Sequence, residues 1–268
     1  MTSDLPATPD FRVGTVNVHV FVNSTGNSNV KALASILGPL NLDVLAVEEA
    51  NNNKNWKSLC DKLSLTHTAF GAIHGTSYGN AIASRHPIVE HYSQNSSTNP
   101  AGGYRAMLRC RFGGDHSFVQ NRRFAVTHLD HLNEDDRLTQ IKEFYSLNHD
   151  VNVLAGDMNS LTQSDYSDKY FREVVAGKRE RFRWEMPRFE LTQLLTNTWG
   201  LQDAFQYVNP TLKDEQVATC RYGTRIDYIF LRPLSNDEWV LKECFIVDTH
   251  QATDHNAVVA TFQHKSKY

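Results

Sequence analysis

The chain has 268 residues, of which 40% are hydrophobic, with a formal net charge of -3 and a pI of about 6.4. These figures suit one large domain with a sizeable core, or at most two small ones, and exclude the strongly basic footprint of a protein that lives on nucleic acid. No run of about 18 apolar residues occurs, so no membrane span is expected.

Residues 1–10 are polar, carry Pro6 and Pro9 and lack an apolar core. They read as a flexible N-terminal tail with no signal peptide, and residues 11–268 as one domain. Residues 11–22 read as a strand. Val16, Val18 and Val20 share one parity, leaving Asn17 and His19 on the other. Polar groups on a buried strand need partners, so this pair suggests a site. Residues 27–40 are helical, with a stripe of Val30, Leu33, Ile36 and Leu37 stopped by Gly38-Pro39. Residues 42–50 form a strand closing on Glu48-Glu49. Residues 51–65 start as an asparagine-rich loop and continue as a helix through Trp56, Leu59, Cys60 and Leu63. Strands are expected at 67–73, 79–84, 88–92 and 105–112, separated by Gly-, Ser-, Asn- and Pro-rich turns, and another at 123–128. Asn133 caps a helix that opens with Glu134-Asp135-Asp136 and has Leu138, Ile141 and Phe144 or Tyr145 on its apolar side. Residues 151–155 form a short buried strand that stops at Gly156, so that Asp157 and Asn159 leave its end together. Residues 162–201 look like an insertion with helical pieces, rich in arginine and aromatics from Lys178 to Trp184. Strands follow at 219–231, 239–248 and 258–264. Many strands with few helices point to an α/β sandwich, two sheets with helices outside.

Cys60, Cys110, Cys220 and Cys244 are widely spaced, with no paired motif. They read as reduced, largely buried thiols of an intracellular protein, in cytoplasm or nucleus. The acidic balance argues against tight, sequence-independent DNA binding. It does not exclude a nuclease, because carboxylates loaded with divalent cations attract phosphate locally.

Six polar constellations sit at strand ends. They are Asn17; Glu48-Glu49; His128 to His131; Asp157-Met158-Asn159; Arg225-Ile226-Asp227-Tyr228; and Thr253 to Asn256. Alone, Gly156-Asp157-Met158-Asn159 is ordinary turn chemistry. The ordered set is not. Its oxygen donors suit a hard cation such as magnesium, calcium or manganese rather than structural zinc.

In order, these pieces resemble the exonuclease–endonuclease–phosphatase superfamily, the deoxyribonuclease-I-like fold. Val16-Asn17-Val18 resembles its first-strand asparagine motif, and Asp43 to Glu49 its acid-terminated second strand. Gly79 to Arg85 resembles its "G-N-A-I-L-S-R" strand, and Gly156 to Ser160 its "G-D-F-N-S" motif. Arg225 to Phe230 and Asp254-His255 resemble its two closing motifs. The resemblance runs from about Phe11 to Phe262. It implies a four-layer α/β sandwich, two central mixed β-sheets flanked by helices, and metal-assisted hydrolysis of a phosphoester with Mg2+ or Mn2+. Asn17 and Glu49 would bind the cation, with Asp254 a further ligand. Asp157 would orient or deprotonate the attacking water. Asn159, His128 and His255 would donate to the phosphate, with Asp227 supporting His255. Arg105 resembles a substrate-phosphate arginine, against the alternative of an exposed strand-start residue. Asn80 is assigned to loop geometry or the substrate.

The sequence departs from the family pattern in two places. His19 stands where an acid is common, and Glu48-Glu49 replaces Gln-Glu. Only one of these two glutamates should face the cation, and the register favours Glu49 over a solvated or salt-bridged Glu48. The run from Lys178 to Trp184 reads as a solvated face or, alternatively, a surface that tracks nucleic acid. The expected function is a monomeric phosphodiesterase acting on a nucleic acid, DNA or RNA. Alternatives are a tyrosyl-DNA phosphodiesterase-like repair enzyme, a phosphoinositide or sphingomyelin phosphohydrolase, and a non-catalytic binding module that kept the fold.

Overall fold

The computed structural model describes residues 9–97, 99–145 and 150–265. Of the tail expected at residues 1–10, all but Pro9 and Asp10 lies outside the described residues. The first half of the chain supplies strands β1 (Phe11–Asn17), β2 (Val44–Asn51), β3 (His67–Ala72), β4 (Tyr78–Ser84), β5 (Ile88–Asn95), β6 (Ala106–Phe112) and β7 (Arg123–His128). The second half adds β8 (Val153–Asp157), β9 (Gln202–Asp203), β10 (Asp227–Leu231), β11 (Trp239–Val247) and β12 (Ala257–His264). One six-stranded sheet runs β11-β12-β1-β2-β4-β3, the other β5-β6-β7-β8-β10-β9. Among the described residues only the central pairs β1–β2 and β7–β8 are parallel, so both sheets are mixed. Helices α1 (Val30–Leu37) and α2 (Lys54–Leu63) cover the first sheet, and α3 (Glu134–Tyr145) covers the second. This is the four-layer α/β sandwich that the resemblance implied.

The side-chain phase of the central strands explains where polar residues end up. Val44 and Ala46 of β2 join the core between the sheets, while Leu45 and Val47 join the core under α1 and α2. Both faces are covered, which is why the strand reads as one continuous apolar run. Likewise Phe124 and Val126 of β7, Val153 and Ala155 of β8, and Ile229 of β10 enter the inter-sheet core. Continuing each phase by two residues places His128, Asp157 and Asp227 at the same end of that seam. Register makes them neighbours: His128 pairs with Asp157, and Asp157 with Asp227. Gly156 permits the close approach of β7 and β8. Its φ is 136°, and a Cβ there would lie 2.0 Å from the Thr127 carbonyl oxygen.

The helix ends follow their sequence signals. Asn53 caps α2 by accepting from the Asn55 N–H at 2.8 Å, and Asn133 accepts from the Asp136 N–H at 2.8 Å at the start of α3. Two strand expectations are corrected. The strand expected over 11–22 stops at Asn17, because His19, Val20 and Phe21 adopt left-handed backbone and the Asn17 side chain accepts from the His19 N–H. In the stretch expected as a strand over 219–231, only Asp227–Leu231 is one. Its first part folds back as a turn, in which Thr219 Oγ1 accepts from the Ile226 and Asp227 N–H groups. The four cysteines are free and buried, as expected. No helix among the described residues is long and apolar enough to cross a membrane.

Candidate active site

The seam between the sheets opens at one end into a cavity of about 870 Å³. Asp157, buried at its floor, accepts hydrogen bonds from the Asn159 N–H at 3.0 Å and from Asn17 Nδ2 at 3.2 Å. Burial, and then the neighbouring Asp227 charge, push the Asp157 carboxyl up to about 7, although His255 and these two donors pull the other way. His255 Nδ1 lies 2.9 Å from Asp227 Oδ2, and its Nε2 lies 3.8 Å from Asp157 Oδ2. Burial, the largest single influence, opposes charge on His255. The Asp227 charge and hydrogen bond, with Asp157, outweigh it and hold this imidazole well above its ordinary pKa. His128 behaves oppositely. Burial, then the charges of Arg105, His255 and His131, push its pKa well down, so it is a neutral imidazole 3.6 Å from Asp157.

A second group lies beside this row. Asn17 Nδ2 also donates to Glu49 Oε1 at 3.1 Å. The Asn17 oxygen is taken by the His19 N–H at 3.0 Å, so the amide nitrogen faces the two carboxylates. The ligand role expected for Asn17 is therefore not the one this geometry displays: it clamps Glu49 to Asp157. Glu49 and Asp254 are both partly exposed carboxylates, and His19 Nδ1 stands 3.6 Å from each. Two acids opening on a common gap are a hard oxygen donor set, which fits a divalent cation. The ligand atoms of Asp157, Asp227 and His255 also lie within 4.8 Å of one another. There, however, the imidazole is already engaged by Asp227, so the Glu49–Asp254 gap is the better fit.

The choice between Glu48 and Glu49 is made by a bulge. Pairing of β2 with β4 shifts register between Val47 and Ala50, and Glu49 adopts a left-handed φ of 53°. Glu49 is thereby turned to the cavity. Glu48 keeps the inter-sheet phase of Val44 and Ala46. It is fully buried, not solvated or salt-bridged as expected, and accepts from Thr15 Oγ1 at 2.7 Å. Burial pushes its carboxyl well above the usual range.

Arg105 is buried at the cavity wall, not exposed. Its Nη2 lies 2.9 Å from His131 Nδ1, its Nε has no partner, and it makes no ion pair among the described residues. Asn80 takes the supporting role and not the substrate one: it does not line the cavity. It is buried and donates to the Ala106 carbonyl at 2.8 Å, anchoring the strand that begins beside Arg105. Asn159 lines the cavity, with one amide N–H given to the Leu129 carbonyl at 3.1 Å. Asp130 forms a helix-entry turn, accepting from the Leu132 and Asn133 N–H groups.

The Endonuclease/Exonuclease/phosphatase family matches residues 14–255. The chain belongs to this family. No curated protein matches the chain. Among solved structures, an endonuclease/exonuclease/phosphatase from Beutenbergia cavernae is 21% identical with a TM-score of 0.68, covering 95% of this chain and 72% of its own. D. rerio TDP2 complexed with single strand DNA product is 16% identical with a TM-score of 0.62, covering 96% of this chain and 100% of its own. Bacteroides thetaiotaomicron mannosyl-6-phosphatase is 17% identical with a TM-score of 0.58, covering 94% and 99%. At these identities the likeness is one of fold.

Other residues in and around the cavity shape it. His19 returns to the site through the turn after β1. Thr253 Oγ1 donates to the Asn17 carbonyl at 2.8 Å and ties the Asp254-His255 loop to the end of β1. Tyr78 lines the cavity with Arg105. Trp184 and Tyr222 reach the cavity from segments far apart in sequence.

Proposed function

We propose that the chain is a divalent-metal-dependent phosphodiesterase that hydrolyses nucleic-acid phosphodiester bonds. One observation carries the reading. An acid with a carboxyl poised near neutrality, a charged His–Asp pair, a neutral histidine and an unpaired buried arginine all converge on one cavity. A non-catalytic module has no need to keep so many buried ionisable groups together. The solved fold relative that carries a single strand DNA product supports the choice of nucleic acid.

Glu49 and Asp254 would hold the Mg2+ or Mn2+ ion, which when bound supplies positive charge to a phosphate oxygen. Asp157, held by Asn17 and the Asn159 N–H, orients a water and takes its proton. The water oxygen attacks phosphorus in line as the bond to the leaving oxygen breaks; that oxygen departs with the bonding pair and takes a proton from solvent. His255 in its charged form, neutral His128, the Asn159 amide and Arg105 donate to the phosphoryl oxygens as negative charge builds.

The test is hydrolysis of single- and double-stranded DNA and RNA with magnesium, with manganese and with chelator, with Asp157→Asn in parallel. Metal-dependent cleavage reduced about 10²- to 10⁴-fold or more in the variant is the expected result. Undiminished cleavage by the variant removes Asp157 from the mechanism. Failure to cleave any strand, with the protein folded, sinks the nucleic-acid reading and directs the assay to tyrosyl–DNA adducts, phosphoinositides and sphingomyelin.

A further inference from the structure

The insertion does more than pack against the second sheet. Its helix Gly177–Phe182 ends at Arg183, whose backbone is left-handed, with the Trp184 N–H donating to the Arg179 carbonyl at 2.8 Å. That bond is the long closure of a Schellman-type cap, and it fixes the direction in which Trp184 leaves the helix. The next residue, Glu185, is held by Arg137 Nη2 at 2.8 Å and by the Glu134 N–H at 2.9 Å. Trp184 is thus pinned on both sides.

The Tyr222 turn is pinned to the same insertion. Lys178 Nζ donates to the Tyr222 carbonyl at 2.8 Å, and Tyr170 Oη to the Gly223 carbonyl at 3.0 Å. The rings then cluster. Phe182 stacks on Trp184 at 4.9 Å, and Trp184 meets Tyr222 edge-on at 4.8 Å. Yet Phe182 is 48% exposed and Trp184 40%. Trp56 and Trp239, by contrast, are buried.

Exposed rings held this rigidly, at the mouth of a phosphoesterase cavity, are a surface on which something planar can stack. The charges around them name its class. Lys178, Arg179 and Arg183 line the same cavity as Arg105, and none of them makes an ion pair among the described residues. Planar rings interleaved with cations that no carboxylate satisfies match alternating bases and phosphates. A bilayer would ask instead for a continuous apolar patch.

We propose that Trp184, with Phe182 and Tyr222, is a stacking platform for a base of a single-stranded nucleic acid whose neighbouring phosphate occupies the catalytic cavity. Lys178 and Arg183 would take the flanking phosphates. This rests on the nuclease reading for its catalytic half, but base stacking is read separately.

The experiment titrates full-length Asp157→Asn protein, in magnesium, with a short oligodeoxyadenylate and with an abasic sugar–phosphate chain of equal length. Tryptophan fluorescence is followed. In active protein, kcat and KM of Trp184→Ala and Trp184→Phe are measured on the oligodeoxyadenylate. The platform requires quenching by the base-bearing strand, absent in Trp184→Phe and weaker with the abasic chain. It also requires KM raised about 5- to 150-fold in Trp184→Ala, with most of the loss restored by the phenyl ring of Trp184→Phe. Equal binding of the abasic chain, or a KM unmoved by Trp184→Ala, overturns it. Base-dependent quenching with no cleavage of any strand by active protein leaves the platform standing and overturns the nuclease reading.

Discussion

Arg225 offers the sharpest test of how the site is supported. Its guanidinium is 1% exposed and grips two carboxylates at once. Nε and Nη2 lie 2.8 and 3.0 Å from Asp165, and Nη1 and Nη2 lie 2.9 and 2.7 Å from Asp203. The plane also lies over Tyr228 at 4.4 Å. One side chain therefore joins the loop after β8, the start of the helix Ala204–Val208, and the strand end that carries Asp227. Arg225→Met keeps the volume and removes the charge, leaving two buried acids unpaired. Breaking a buried pair in this way costs about 3–5 kcal/mol. At about 2–4 °C per kcal/mol for a chain of this size, the melting temperature should fall by about 6–20 °C. Scanning calorimetry at several pH values checks it. Without the cation, both buried carboxylates lose their partner, and the Asp165 carboxyl, already raised by burial, is held still further above its unfolded value. The penalty is then greatest at neutral pH and shrinks as acid neutralises them. Adding Asp165→Asn and Asp203→Asn should recover much of the loss, because asparagine still caps the helix that Asp203 starts through the Phe205 and Gln206 N–H groups. A melting temperature within about 2 °C of the parent, or a penalty that grows toward acid, would refute the assignment of this network as the anchor.

Four further outcomes follow from the structure. Asp157 must be ionised to act as base, so kcat/KM should fall as pH drops through about 7. Asp227→Asn removes the charge that raises both Asp157 and His255, so both limbs of the pH–rate profile should move to lower pH; an unmoved alkaline limb would count against His255 acting in its charged form. Glu48→Gln should change stability by less than about 1 kcal/mol, since a buried neutral acid and an amide both accept from Thr15; a loss above about 2 kcal/mol in urea unfolding would mean that Glu48 is ionised in the fold. His116 is pushed down to about 4 by burial and then by His86 and His264. Its neutral form is favoured in the fold, so it contributes stability above the unfolded value of about 6.5 that is lost as pH falls toward 4. His116→Asn, which keeps an acceptor for the Phe118 N–H, should show a shallower loss of melting temperature over that window, and parallel curves for the two proteins would exclude the effect.

The sheets and their order of motifs were legible because the central strands are buried on both faces. Each reads as an apolar run that stops at a polar residue, and Asn17, His128 and Asp157 are those stops. What pattern reading could not supply was the consequence of local backbone reversals. The turn at His19 to Phe21 brings His19 back between Glu49 and Asp254, whereas a continued strand would have carried it away. The bulge turns Glu49 to the cavity, while Glu48 keeps the alternation of Val44 and Ala46 into the core between the sheets, where a carboxylate is not expected. The insertion was the least legible part. Trp184 and Tyr222 meet only because a helix cap and two backbone-directed hydrogen bonds position them, and none of these has a period in sequence.

The placement of the site follows from the same phase that builds the core. Residues that alternate into the seam are apolar until the strands run out, and the next residues in phase are His128, Asp157 and Asp227. These groups are consequently desolvated on the protein side and open to the cavity on the other. Desolvation is what raises Asp157 into the range where it can take a proton at neutral pH, and it is also what makes an isolated carboxylate there expensive. The Asn17 amide and the Asn159 N–H offset that cost without ionising, so they hold the carboxylate without cancelling its basicity. A lysine or arginine in either place would satisfy Asp157 more fully and leave it a poorer base. Under the proposed mechanism the neutral donors at the floor and the unpaired cations at the wall would therefore serve different ends: the first would tune the base, the second would be free for the phosphate.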